Sequence, residues 1–302
     1  MSSTTPVRTL LATGALTAIT AAAAGCAPAT GTAPTDAAVT AVASTGVWAE
    51  IVQQIGGAHV AVDAVIGEGT DPHQHQSSAL EVLAVRDADL VVVNGGGYDG
   101  FMTQILGSID PPEVLIDVAA LETAGPAGDP DNEHLWFDPD TVAAAADRIA
   151  AGLTDLDPDH GADYADNLAE FTAGLDTLSA RLDVLAAAEP APVLSTEPVL
   201  GHLLAAGGIP DLTPTEFGEA IEHGTDPSPA ELAQVRTMLE DRQVAALVYN
   251  THTQNPTTEA VRAAAQDAGV PVIEVSESLP TGMAYLTWTS AVIDGLDEAV
   301  VR

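Results

Sequence analysis

Short apolar runs alternate with amphipathic stretches along most of this chain. Residues 38–43 read as a strand, 47–55 as a helix and 59–66 as a strand. A helix at 77–88, a strand at 89–94, a helix at 98–109 and a strand at 113–118 continue the series. A helix over 140–153 follows. A second set starts with a strand at 192–195, a helix at 199–206, a strand at 209–217 and a helix at 228–240. It ends with a strand at 244–250, a helix at 257–268, a strand at 271–275 and a helix at 285–301. Strand and helix in regular alternation predict parallel α/β units, since a crossover helix is what returns the chain to the same sheet edge. Between the two sets Tyr164, Leu168, Phe171, Leu175, Leu178, Leu182 and Leu185 recur at spacings of 4 and 3. This places one apolar stripe on a single helix long enough to bridge two lobes.

The first residues follow a different pattern. Arg8 precedes an apolar stretch over 9–24 that is short for a bilayer span, and Cys26, the sole cysteine, follows Ala23-Ala24-Gly25. The segment resembles the lipobox of bacterial lipoproteins, with Ala23 where that motif usually carries leucine. The resemblance implies a signal peptide over 1–25 and lipidation of Cys26; a structural cysteine behind a plain secretory signal is the other reading. Residues 27–37 (APATGTAPTDA) have the composition of a flexible tether.

Length and composition allow two domains with a real core: 302 residues, 46% of them hydrophobic. One cysteine allows no internal disulfide. Charge narrows the function further. The chain holds 44 acidic and 8 basic residues, a net charge of −36, and every basic residue is arginine. A nucleic-acid partner is excluded, because binding phosphates needs clustered Lys or Arg. The missing lysine also removes a Walker-type loop, a Schiff base and a Ser-Lys dyad. A strongly negative field attracts cations instead.

The candidate chemistry sits at strand-to-helix turns, where open parallel sheets bind their ligands. Gly69-Thr70-Asp71-Pro72-His73-Gln74-His75 follows the strand at 59–66, and His73 is favoured over His75. His134 lies among aromatic and apolar neighbours in Asn132-Glu133-His134-Leu135-Trp136-Phe137. Glu197, in Ser195-Thr196-Glu197-Pro198, and Glu277, in Ser276-Glu277-Ser278, each follow a strand in the second set. Two histidines and two carboxylates, a pair from each set, are donors suited to a divalent metal. His252, also just past a strand, is kept as a neighbour of this group.

Asp71-Pro72-His73, the glycine run Gly95-Gly96-Gly97-Tyr98, Glu133-His134-x-Trp136 and Ser195-Thr196-Glu197-Pro198 together resemble a known family. Leu247-Val248-Tyr249-Asn250-Thr251 and Glu277-Ser278-Leu279-Pro280 extend the match over about residues 38–302. The family is the metal-binding receptors of bacterial ABC importers for zinc and manganese. The resemblance implies two α/β lobes with parallel sheets (38–157 and 190–302), joined by one long rigid helix (158–189), with the metal site between the lobes. It implies His73, His134, Glu197 and Glu277 as ligands of one Zn2+ or Mn2+ carried as cargo. A membrane permease would be the partner, and the receptor a monomer held at the cell membrane by its lipid anchor. Residues 121–132 contain no histidine, so no metal-gathering loop is implied.

Two other readings compete. A secreted metal-dependent hydrolase would need an open coordination site and a general base, yet no HExxH or GxSxG is present. Gly95-x-Gly97-x-x-Gly100, with Asp117 near the end of the next strand, formally matches a dinucleotide fingerprint. It follows the third strand rather than the first.

Overall fold

A computed structural model describes residue 1 and residues 37–67, 72, 75–121, 123 and 128–301. From residue 37 onward these fall in one compact unit. The first lobe opens with β1 (Val39–Thr45), α1 (Gly46–Gly56) and β2 (Val60–Ile66). It continues with α2 (Ala79–Asp87), β3 (Leu90–Val93), α3 (Gly100–Leu106), β4 (Val114–Asp117) and α4 (Pro139–Leu156). Its sheet is parallel in the order β2-β1-β3-β4, so the chain leaves β1 toward one edge and returns at β3 to build the other. That reversal opens a crevice beyond the carboxyl ends of β1 and β3.

The long stripe becomes α5 (Gly161–Ala187). Its residues Tyr164, Phe171, Leu175, Leu178, Leu182 and Leu185 are buried, and Leu168 is half-buried. The second lobe holds β5 (Val193–Ser195), α6 (Gly201–Ala206), α7 (Thr215–Glu222) and α8 (Pro229–Glu240). β6 (Ala246–Asn250), α9 (Pro256–Ala268), β7 (Val272–Val275) and α10 (Tyr285–Val300) complete it. β5, β6 and β7 form a parallel sheet in that order.

The strand expected over 209–217 is corrected. Only one parallel bridge forms there, between Val193 and Asp211, and the chain turns helical at Thr215. Pro210 and Pro214 lie within the segment, and a proline nitrogen has no hydrogen to give to a ladder. The bridge still lies where the expected strand would pair. The second lobe therefore repeats the chain path of the first, with the strand reduced to one contact.

α5 serves both lobes. Asn167 donates from Nδ2 to the Ile55 carbonyl at the end of α1 (2.9 Å), whereas Arg181 reaches Ser290 Oγ on α10 (2.7 Å). One apolar cluster runs from β1 and α1 through the buried face of α5 to α6 and α10. Phe171 lies at its middle, with its ring 6.0 Å from that of Tyr285. Replacing Phe171 with alanine should cost about 3–5 kcal/mol, the usual loss for a buried ring. Because the core is continuous, urea unfolding followed by tryptophan fluorescence and by circular dichroism should remain one coincident transition at a lower midpoint. Two separated transitions would show that the lobes unfold independently.

Candidate metal centre

The carboxyl ends of both sheets face one cavity of about 1280 Å³, whose lining includes Glu133, Glu197, Glu222, Glu277 and His252. Glu197 and Glu277 follow β5 and β7, and Asn250 ends β6 between them. One amide serves both acids. Asn250 Nδ2 donates to Glu197 Oε2 (2.7 Å) and to Glu277 Oε1 (2.6 Å). The other oxygen of Glu277 accepts from Tyr98 OH (3.2 Å), which belongs to the first lobe. Glu197 is 2% exposed, and its Oε1 has no hydrogen-bond partner. A buried carboxylate oxygen without a donor is costly, and here it lies in the wall of a cavity.

His134 reaches the centre from the first lobe. The turn that carries it is fixed to the end of β3, because Asn94 Nδ2 donates to the Glu133 carbonyl (2.9 Å). The His134 ring lies edge-on to Trp136, 5.3 Å between centroids, and is almost wholly buried. Its Nε2 stands 3.9 Å from Glu277 Oε2 and its Nδ1 4.0 Å from Glu222 Oε1.

The acids perturb one another. Burial, then the neighbouring Glu222, Glu277 and Asp99, push Glu133 up to about 7. Burial above all pushes Glu197 up to about 7 as well, with Glu277 and Glu222 adding to it against the pull of the nearby Thr253 hydroxyl and the Asn250 amide. Burial also raises Glu222. Desolvated like charges hold protons that a cation would displace.

Of the residues singled out by sequence, His134, Glu197 and Glu277 are thus brought to one place. His73 lies outside the described residues, as does Cys26, although Pro72 beside His73 lines the cavity. His75 does not join the centre: it lies against Phe101, 4.9 Å between ring centroids, with Nε2 3.3 Å from Glu81. His252 Nε2 meets the hydroxyls of Ser276 (3.1 Å) and Ser278 (3.0 Å), the two neighbours of Glu277. It therefore steadies the turn that presents that acid. Among the described residues no group of three or more His, Cys, Asp or Glu side chains is closed up tightly enough to hold a metal.

Sequence reasoning missed Glu222, and it used Glu133 and Asn250 only as parts of motifs. Nothing in a chain with 44 acids marks Glu222, which ends an ordinary amphipathic helix. Asn250 stood in the open, as the polar last residue of an apolar strand.

The glycine turn has a different role from phosphate binding. Asp99 closes it, accepting from the N–H groups of Asn94 (2.6 Å) and Gly95 (3.0 Å). Those amides are the ones a dinucleotide phosphate would need. Gly95 itself is required: its φ is +73°, and a Cβ added there would stand only 2.1 Å from Asp117 Oδ1.

Comparison with known proteins bears on the family and the fold. Residues 41–299 match the family described as zinc-uptake complex component A, periplasmic (ZnuA). The manganese ABC transporter substrate-binding lipoprotein PsaA of Streptococcus pneumoniae serotype 4 is 23% identical over 282 residues, 86% of this chain and 89% of PsaA. The manganese-binding lipoprotein MntA of Bacillus subtilis is 29% identical over 141 residues, a match spanning 45% of this chain and only 46% of MntA. The periplasmic zinc binding protein TroA from Treponema pallidum superposes with a TM-score of 0.74 at 20% identity, covering 87% of this chain and 99% of TroA. At that identity the likeness concerns the fold.

The raised carboxyls give a signed pH dependence. A group whose folded value lies above the ordinary 4.5 contributes stability that is complete below 4.5 and lost as pH rises through about 7. Metal-free wild type should therefore lose stability relative to Glu197→Gln between pH 5 and 8, by on the order of 2–3 kcal/mol. Urea unfolding of both proteins at several pH values reads the difference. Parallel pH profiles would contradict the buried carboxyl.

Proposed function

Since the chain belongs to the periplasmic zinc-uptake component A family, we propose that it captures a divalent zinc or manganese ion outside the cytoplasm and delivers it to the permease of an ABC importer. In this reading His73, His134, Glu197 and Glu277 bind the ion between lobes spanning 38–157 and 190–302, with the helix of 158–189 between them. The observation that carries it is the unpartnered, buried Oε1 of Glu197 in a cavity where further glutamates converge. Such a site is incomplete without a cation. The protein is a receptor rather than an enzyme, and neither the hydrolase nor the dinucleotide alternative gains support.

Capture exchanges protons for metal. Glu197, held near 7, must ionise and imidazole must be neutral before they ligate, so affinity rises with pH through neutrality. Two imidazoles and two carboxylates offer four donors when the carboxylates are monodentate, which suits zinc, and up to six when they are bidentate, which suits manganese. Both ions bind, and zinc binds more tightly in vitro, following the Irving–Williams order. The receptor acts as a monomer.

Equilibrium dialysis with metal analysis tests this directly. Wild type should take up one zinc or one manganese per chain, His134→Ala should bind far more weakly, and affinity should fall between pH 7.5 and 6. Wild-type protein that retains neither ion, or undiminished affinity in a His73→Ala/His134→Ala double variant, would overturn the assignment.

The lipid anchor at Cys26 completes the reading, with 1–25 as the signal peptide and 26–37 as the tether. Among the described residues no helix is long and apolar enough to cross a membrane, and an anchor supplies the attachment instead. Cys26→Ser should move the protein from the membrane fraction to the soluble one or block its processing. Unchanged fractionation together with an unmodified wild-type Cys26 would exclude the anchor.

A further inference from the structure

Asn132 is 9% exposed and takes no direct place among the metal donors, yet it touches both halves of the centre. Its Oδ1 accepts from the His134 backbone N–H at 2.9 Å and lies 2.8 Å from His134 Nδ1. Its Nδ2 donates to the Pro198 carbonyl at 2.7 Å, one residue past Glu197. These two backbone partners fix the amide's orientation, because an N–H must meet an oxygen and a carbonyl must meet an N–H. Oδ1 is then an acceptor only, and His134 Nδ1 must carry the proton. The lone pair of the neutral ring is left on Nε2, the atom facing Glu277 Oε2 at 3.9 Å. Two ligand bonds of about 2.1 Å each span such a gap.

The surroundings are built to hold this amide. His202 is fully buried on α6 and donates from Nε2 to the Asn132 carbonyl (2.9 Å). Gly201, at the start of α6, leaves room for it, since a Cβ there would stand 2.6 Å from Asn132 Nδ2.

We propose that Asn132 is a positioning residue of the metal receptor, which sets the tautomer of His134 and ties the His134 turn to the Glu197 turn across the lobes. The metal-binding part of this rests on the receptor reading above. The tautomer part does not, because it concerns the metal-free protein. Asn132 acts through its neighbours: when His134 engages a cation, the bonded amide keeps the Pro198 turn, and Glu197 with it, in register.

The test uses the full chain with labelled histidines. Long-range 15N–1H NMR spectra of metal-free protein should show His134 as the Nδ1–H tautomer in wild type and as a mixture in Asn132→Ala. Asn132→Asp keeps an acceptor for Nδ1–H and should restore the wild-type signature while losing the donor to Pro198. Zinc affinity by competition with a chelator should fall about 10–100-fold in Asn132→Ala, the usual effect of removing the partner of a ligating imidazole. It should recover in part in Asn132→Asp. Gly201→Ala, which crowds Nδ2 and leaves the amide chemistry intact, should weaken zinc binding in a chain that remains folded. An unchanged His134 tautomer in folded Asn132→Ala, or zinc affinity within twofold of wild type, would overturn the proposal. If wild type binds no metal while the tautomer shifts as expected, the receptor reading fails and the role of Asn132 in setting the ring stands.

Discussion

Everything near the centre depends on a repulsion. Glu133, Glu197, Glu222 and Glu277 face one cavity in a chain of net charge −36, and no lysine or arginine lines the described wall. Arginines with described acidic partners are engaged elsewhere: Arg181 with Asp294, Arg262 with Glu274, and Arg86 with Asp87. A fixed basic side chain would neutralise the cavity permanently and close it to a diffusing ion. Neutral donors hold the acids instead, Asn250 through one amide and Tyr98 through one hydroxyl. They orient the carboxylates without cancelling their charge, and protons stand in until a metal displaces them.

Holding like charges together requires a rigid frame, and the packing supplies one. α5 buries its stripe in a core that extends into both lobes, which resists the acids' tendency to push the lobes apart. Hydrogen bonds that cross between the lobes near the centre include Tyr98 to Glu277, Asn132 to the Pro198 carbonyl, His202 to the Asn132 carbonyl, and Tyr285 to the Trp136 carbonyl. Each is buried or nearly so, where a lost partner costs more than it would in water.

The sequence made the architecture legible because its signals are periodic. Strand–helix alternation and the Tyr164–Leu185 stripe follow from spacing alone, and both reappear as parallel sheets and α5. The segment at 209–217 misled because its apolar content suggested a strand, while the backbone chemistry of Pro210 and Pro214 decided against one. The site was legible only in part. Glu197 and Glu277 are conspicuous as polar residues at turns after apolar strands, and His134 as a histidine set in an aromatic and apolar run. Glu222 and Asn132 gain their meaning from neighbours 88 and 66 positions away, Glu222 from His134 and Asn132 from Pro198, and no local pattern encodes that.

These ties also constrain how the receptor can respond to its cargo. With one continuous helix at the back and hydrogen bonds bridging the mouth, a wide swing of the lobes would break buried polar contacts and open the apolar cluster around Phe171. Small tilts and local side-chain shifts cost far less. Glu197 Oε1 lies unpartnered in the cavity wall, and His134 Nε2 stands 3.9 Å from Glu277 Oε2 across the lobes, so these groups are already close without any large movement. The turn carrying Glu277 hangs on His252 through two serine hydroxyls, contacts that are only partly buried and therefore cheaper to exchange for water.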